Sequence, residues 1–295
     1  MLLWVVLSSY IYTNIHAQKA GNVTKNLYLS ILMDMEDYKQ FAEDIARRAG
    51  KVMLEYFKIG MERTLKEDNS PVTEADLKIN AMLIQEVTAR FPEHSVLSEE
   101  GSNLLEKSQY TWVCDPIDGT RMFSHAFPVS TFSLSLVKDG EVLLAVIYDP
   151  FCDRLFSAEK GKGTHINGIR SNVSESKTFV RHIVDCESSN RGKYDIKPLL
   201  DYFYETDAVL IKINSLIYVS SMVAAGQVVA TVFPFTTTHD AAAIKIIVEE
   251  AGGKVTDMQG NEQRYDEPIN GLLVSNGVLH DELVELAKKY VTERK

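Results

Sequence analysis

Cysteine is scarce in this 295-residue chain: Cys114, Cys152 and Cys186 lie far apart and form no CxxC pair. Three thiols without a framework exclude a disulfide-stapled fold and fit a reducing, cytoplasmic setting. Basic residues are outnumbered, 31 Lys and Arg against 41 Asp and Glu, for a formal charge of −10. That balance argues against a nucleic-acid partner, because phosphate backbones are held by concentrated Lys and Arg. A phosphorylated small molecule stays compatible if a cation bridges the two negative partners. Long apolar runs are missing too. Leu2–Tyr12 is too short to span a bilayer, so no membrane is expected. The seven histidines are dispersed, which speaks against zinc. No Walker A loop, GxGxxG, GxSxG or HExxH occurs, and no internal repeat or low-complexity tract stands out.

What remains is an ordinary globular composition, 45% apolar and 24% charged, in a chain long enough to bury a large core. Residues 1–34 read as a flexible extension; a secretory signal without the usual leading charge, or a start at Met33 or Met35, are the alternatives. From about Met35, Phe41, Ile45, Ala49, Val52 and Tyr56 recur at helical steps. A second helix runs from about Glu74 to Arg90, opened by Thr73 and stopped before Pro92. Strand-like runs follow at Ser95–Ser98, Thr111–Cys114, Phe132–Val137 and Val142–Tyr148, the last two joined by an Asp-Gly hairpin. Later strands and helices mix, with a clear helix over Ala241–Ala251 ending at Gly252-Gly253. This pattern predicts a layered α/β (α+β) architecture. The Gly-, Ser- and Asn-rich stretch Lys160–Ser176 marks the boundary between halves 35–160 and 161–295.

The densest chemistry is Trp112-Val113-Cys114-Asp115-Pro116-Ile117-Asp118-Gly119-Thr120. A buried-type strand runs into two carboxylates, and Pro116 predicts a sharp turn that aims both, with the Ile117 carbonyl, into one space. Gly119 permits a tight backbone, so the Gly119 and Thr120 N–H groups can face an anion. Hard divalent cations take such oxygen ligands, and magnesium shares them with substrate phosphate. The same residues also fit a plain turn with a capping Asp. Glu99-Glu100 closes a strand, where alternation puts only one of the pair in the site. Asp76 fits a capping box with Thr73, and Asp240 the cap of the helix that follows, or each serves as a site carboxylate.

Taken together, these segments resemble the inositol monophosphatase family, part of the lithium-sensitive phosphatases that include fructose-1,6-bisphosphatase. The matching motifs are Pro71–Asp76, Ser98-Glu99-Glu100-Gly101, Trp112–Thr120, Gly161-Lys162-Gly163 with Asn167-Gly168, and His239–Ala242 through Glu250–Gly253. The resemblance implies an α-β-α-β-α sandwich, a metal-binding first half completed by the second, two or three Mg2+ ions and a homodimer. It implies that Glu99, Asp115 and the Ile117 carbonyl hold one ion and Asp115, Asp118 and Asp240 another. Asp76 and Thr120 would orient the attacking water, and the Gly119 and Thr120 amides would bind phosphate. Lys66 matches a lysine near the site, and Glu100 stands behind the ligands. Activity would be hydrolysis of inositol monophosphate or a related polyol or sugar phosphate. The alternatives are fructose-1,6-bisphosphate, histidinol phosphate, 3′-phosphoadenosine-type nucleotides, or a catalytically silent metal-binding interaction protein.

The chain departs from the family pattern on the substrate side. Arg121-Met122 follows the motif where many relatives have Asn before Phe123, and His239 stands where many have Trp. An ungapped count from Asp240 puts Phe233 at the place of a sugar-contacting glutamate, and Asn214-Ser215-Leu216 replaces small pocket residues. Phe233 and Ser215 are therefore the expected substrate contacts.

Overall fold

A computed structural model describes residues 21–67, 69–187 and 193–294, with side chains from residue 35 onward. Readings of residues 1–20 lie outside these. The chain divides into two compact units, Met1–Phe41 and Ala42–Lys295. The first long helix, Gly21–Tyr56, begins well ahead of Met35, where its amphipathic pattern starts. Within the second unit its apolar face is Ala42, Ile45, Ala46, Ala49 and Met53, all fully buried. Gly50 lies on this face because a Cβ there would sit 2.3 Å from the Tyr148 ring, so helix and sheet approach closely.

The first sheet has seven strands in the order Ser95–Ser98, Tyr110–Asp118, Thr131–Lys138, Glu141–Asp149, Arg154–Glu159, Gly163–Ile166 and Ile169–Arg170. Only its first pair is parallel. The second has five, in the order Val209–Ile211, Ile183–Cys186, Ala230–Phe233, Leu272–Ser275 and Lys254–Thr256. Helices Leu216–Ala224 and Thr238–Glu250 pack against strands of both sheets, Glu74–Arg90 packs on the first sheet, and Lys197–Glu205 and His280–Tyr290 pack on the second. Side chains of the inner helices and both sheets form one core, while Lys197–Glu205 and His280–Tyr290 close a second with the strands of the second sheet. This is the expected α-β-α-β-α layering. No helix among the described residues is long and apolar enough to cross a membrane.

The expected division after residue 160 falls inside a hairpin of the first sheet, between Arg154–Glu159 and Gly163–Ile166. Gly161-Lys162-Gly163 forms the turn of that hairpin. Its Gly161 and Gly163 N–H groups both donate to the Glu250 carboxylate, at 2.6 and 2.7 Å, so two distant motifs lock together. The helix Lys197–Glu205 is an addition to the sequence pattern; Pro198 in its first turn and the run Tyr202-Phe203-Tyr204 obscure the helical signal.

At the far end of the second sheet, buried His280 bridges Thr256 Oγ1 (Nε2, 3.0 Å) and Ser275 Oγ (Nδ1, 2.9 Å). Burial lowers its pKa to about 4, with the nearby Lys254 charge adding to the effect. The unfolded imidazole titrates near 6.5, so between about 6.5 and 4 the unfolded state binds more protons. This contribution is fully present above the unfolded value and is lost as pH falls through that window. Wild type should lose on the order of 1–2 kcal/mol more than His280→Gln between pH 7 and 5 in paired denaturant titrations. Equal losses would show that His280 carries no such linkage.

Candidate active site

The strand Tyr110–Asp118 does not turn at Pro116 but continues through it. Asp115 pairs with Ser133 and Asp118 with Thr131, so three steps on one strand face two on its neighbour. This is a β-bulge, and it decides the chemistry. Side chains three apart on a regular strand point to opposite faces; one extra residue returns Asp118 to the face of Asp115. Pro116, which has no N–H to offer a ladder, sits in the irregular stretch where none is required.

Helix Thr238–Glu250 brings in the third carboxylate. Asp115, Asp118 and Asp240 each offer an oxygen, all within 4.8 Å of one another. Asp240 is the third residue of its helix and not its N-cap, which is Thr237. Its Oδ2 accepts the Thr237 N–H at 3.1 Å and the Thr237 hydroxyl at 2.9 Å. Asp76 repeats the device: its Oδ2 accepts the Thr73 N–H at 2.8 Å, while Oδ1 faces the Thr120 hydroxyl at 3.4 Å. Capping and site membership are thus not alternatives. One oxygen closes the helix start and the other is left for the site. Thr120 Oγ1 also donates to the Ile117 carbonyl at 2.9 Å, which joins Asp76, Ile117 and Thr120 in one chain of contacts.

Glu99 and Glu100 behave differently from the strand alternation. The strand ends at Ser98 and both glutamates lie in the following turn. Freed from the pleat, both carboxylates reach the same Lys66 ammonium, at 2.8 Å from Glu99 and 2.5 Å from Glu100. Lys66 is thereby placed beside the carboxylates. Burial raises the Glu100 pKa against the Lys66 hydrogen bond, and the Glu99 charge adds to the rise.

Electrostatics show what such a nest needs. Burial raises the Asp115 pKa well above the usual carboxylate range, with Glu99, Asp118, Asp240 and Asp76 adding to the effect. Burial pushes Asp118 up to about 7 against hydrogen bonds from Ser215, Tyr218 and Leu216, and Asp76 likewise to about 7. Clustered carboxylates that resist ionisation become easy to ionise beside a divalent cation. The donor set, carboxylates with a carbonyl, is that of a hard ion such as Mg2+. A second observation agrees. Among the described residues, Asn80 Oδ1, Ser98 Oγ, Ser133 Oγ and Asp185 Oδ1 are buried without a hydrogen-bond partner. Asn80 lies one helical turn from Asp76, Ser98 precedes Glu99, and Ser133 is opposite Asp115. The residues fit a hydrated divalent metal.

On the substrate side the expectations change. Phe233 is fully buried in the core between the sheets, paired with Leu272, and offers no surface to a substrate. As the last residue of a central strand its side chain points inward, whereas nearby Phe235 is exposed. Ser215 is also fully buried, and its Oγ donates to Asp118 at 2.5 Å instead of facing a ligand. The sequence pattern passed over Asp185 and Glu187, both buried. Burial, then the Glu187 charge, pushes Asp185 up to about 7. Their signal was present: carboxylates two apart at the end of the apolar strand Ile183–Cys186.

A sequence model of the inositol monophosphatase family matches residues 34–292. The chain belongs to the inositol monophosphatase family. It is similar to a fructose-1,6-bisphosphatase/inositol-1-monophosphatase of Thermotoga maritima, 35% identical over 223 residues that cover 75% of this chain and 84% of that one. A histidinol-phosphatase of Chlorobaculum parvum is 31% identical over 249 residues, covering 83% of this chain and 94% of the relative. The solved structure of a Thermotoga maritima inositol monophosphatase superposes with a TM-score of 0.76 at 29% identity, covering 86% of this chain and 98% of that chain. This inositol monophosphatase family member is therefore a phosphatase of phosphate monoesters, which sets aside the silent interaction protein. Its acidic cluster accords with a metal-dependent family.

Proposed function

We propose that the chain hydrolyses small phosphate monoesters with Mg2+, by direct attack of water on phosphorus. The convergence of Asp115, Asp118 and Asp240 from distant segments carries this reading. Glu99, Asp115 and the Ile117 carbonyl would hold one ion, and Asp115, Asp118 and Asp240 another. When bound, such ions neutralise phosphate charge, acidify a water and favour departure of the alkoxide. The chain's own groups supply the rest. Thr120 and Asp76, already in contact, orient the attacking water, while the Gly119 and Thr120 N–H groups hold phosphate oxygens. Lys66 and Glu100 steady Glu99 from behind. The three free thiols support a reducing, cytoplasmic setting, and on family grounds we take the working unit to be a homodimer.

The substrate range follows from what the pocket side lacks. With Phe233 in the core, no carboxylate occupies its place, and half-buried Leu216 with exposed Phe235 offers apolar surface. A polyol ring is selected mainly by hydrogen bonds to its hydroxyls. Inositol monophosphate, fructose-1,6-bisphosphate, histidinol phosphate and p-nitrophenyl phosphate should therefore be cleaved with kcat/KM values within roughly tenfold of one another, each activity lost on chelation and restored by Mg2+. Activity that survives chelation would refute the metal mechanism. A hundredfold preference for inositol monophosphate would refute the pocket reading alone.

A further inference from the structure

Asp118 carries an unusual load of contacts for a metal-ligand position. Its Oδ2 accepts from Ser215 Oγ at 2.5 Å, the Tyr218 N–H at 2.9 Å and Thr131 Oγ1 at 3.4 Å. Its Oδ1 accepts one bond, from the Leu216 N–H at 2.9 Å. A carboxylate oxygen has two lone-pair directions, so Oδ2 is filled and Oδ1 keeps one direction for a cation. Ser215, Leu216 and Tyr218 all belong to the start of the helix Leu216–Ala224, in the other half of the sequence from Asp118. They thus hold the carboxylate plane in one rotation.

The segment that does this is itself fixed. The Ile213 N–H donates to Asp185 Oδ2 at 3.2 Å and the Asn214 N–H to Glu187 Oε1 at 2.6 Å, both on buried carboxylates. Backbone donors at 213, 214, 216 and 218 therefore end on three carboxylates, and Ser215 is the one side-chain donor among them. With its hydroxyl committed and no exposed surface, Ser215 has no contact to give a substrate.

We propose that Ser215 is a positioning residue: by fixing the rotation of Asp118 it sets the affinity of the carboxylate site for its divalent cation. The inference rests on the metal reading given above. Partners that orient a ligand in this way commonly contribute 10–100-fold to metal affinity. Without the hydroxyl, Asp118 turns toward the remaining N–H donors and the ion finds a looser ligand.

The test is calorimetric titration of Mg2+ into the metal-free full chain, compared across variants. Ser215→Ala should weaken the dissociation constant about 10–100-fold. Ser215→Cys, with a weak donor of similar size, should fall between Ala and wild type. Ser221→Ala, which removes a hydroxyl bonded to the Tyr218 carbonyl in the same helix, should bind as wild type does. Excess Mg2+ should restore turnover to Ser215→Ala, an outcome that general damage to the fold would not give. If Ser215→Ala does not fold, the Cys variant alone carries the comparison. Wild-type affinity in a folded Ser215 variant overturns this inference alone. Failure of wild type itself to bind Mg2+ overturns the metal reading with it.

Discussion

Asp115→Asn is expected to cut turnover at least ~1,000-fold and, in the same protein, to stabilise the metal-free fold. The two effects have one cause. Asp115 is fully buried among like charges, and burial with Glu99, Asp118 and Asp240 raises its pKa far above that of an unfolded Asp. A carboxyl whose folded pKa is raised contributes stability that is complete below the unfolded value. That stability is lost as pH rises through the folded one. For Asp118 and Asp76 the window runs from about 3.8 to about 7. Asn cannot ionise, so it escapes this cost. Its carbonyl oxygen can still accept the Ile117 N–H that Asp115 Oδ1 accepts at 3.0 Å. Metal-free Asp115→Asn should be more stable than wild type at pH 8, and by less at pH 5. Calorimetric scans in chelator at both pH values, with turnover measured in Mg2+, check both halves. A folded variant with near-normal turnover would remove Asp115 from the mechanism, and a less stable metal-free variant would show that the cluster is not strained by charge.

That coupling also explains which parts of the site were legible in the sequence. Capping boxes are local, and Thr73 with Asp76 could be read from spacing alone because three residues of helix fix the geometry. The bulge at Pro116 could not be read, because a bulge exists only relative to the neighbouring strand Thr131–Lys138. The sharp turn expected there would have aimed the same two carboxylates at one space, so their clustering was reached through a wrong local geometry. The shared approach of Glu99 and Glu100 to Lys66 was hidden for a similar reason: alternation applies to a strand, and the strand ends at Ser98. Phe233 shows the limit of counting along the chain. Spacing from Asp240 says nothing of the direction of its side chain, which the two-sheet core determines.

Asp185 and Glu187 mark a different limit. Carboxylates at a strand end are usually solvated, and nothing local says that Ile213 and Asn214 will return to meet them. The contacts span 27 or more residues, and their consequence for Asp118 passes through Ile213-Asn214-Ser215-Leu216, a segment whose sequence pointed to substrate contacts and not to the support of a carboxylate. What decides the site is thus a set of long-range backbone contacts to carboxylates, superposed on motifs that are individually short.

Gly119→Ala should be strongly disruptive both to the fold and to turnover. Gly119 has φ +76°, a left-handed conformation that costs a residue with a Cβ roughly 1–2 kcal/mol. The added Cβ would also lie 2.7 Å from Ser215 Cβ, 2.8 Å from Ser215 Oγ and 3.3 Å from the Asn214 carbonyl oxygen. Ser215 cannot retreat easily, because its Oγ is bonded to Asp118 and its flanking N–H groups to Glu187 and Asp118. Conformation and overpacking together should destabilise the fold by about 2–4 kcal/mol. Displacement of Ser215 should also lower turnover about a hundredfold, the scale at which a small misplacement of positioned groups is felt. The mechanism can be separated from general damage by a double-mutant cycle. Ser215→Gly loses the Asp118 contact but opens the space the new methyl needs. Once it is in place, Gly119→Ala should cost only its backbone penalty. The two changes should then be non-additive by more than about 1 kcal/mol in denaturant titrations, with the double variant more stable than the sum of the singles predicts. Additive losses would mean that the methyl is accommodated without moving Ser215, and the close packing of the Gly119 turn on the helix start would then have no role in holding the site.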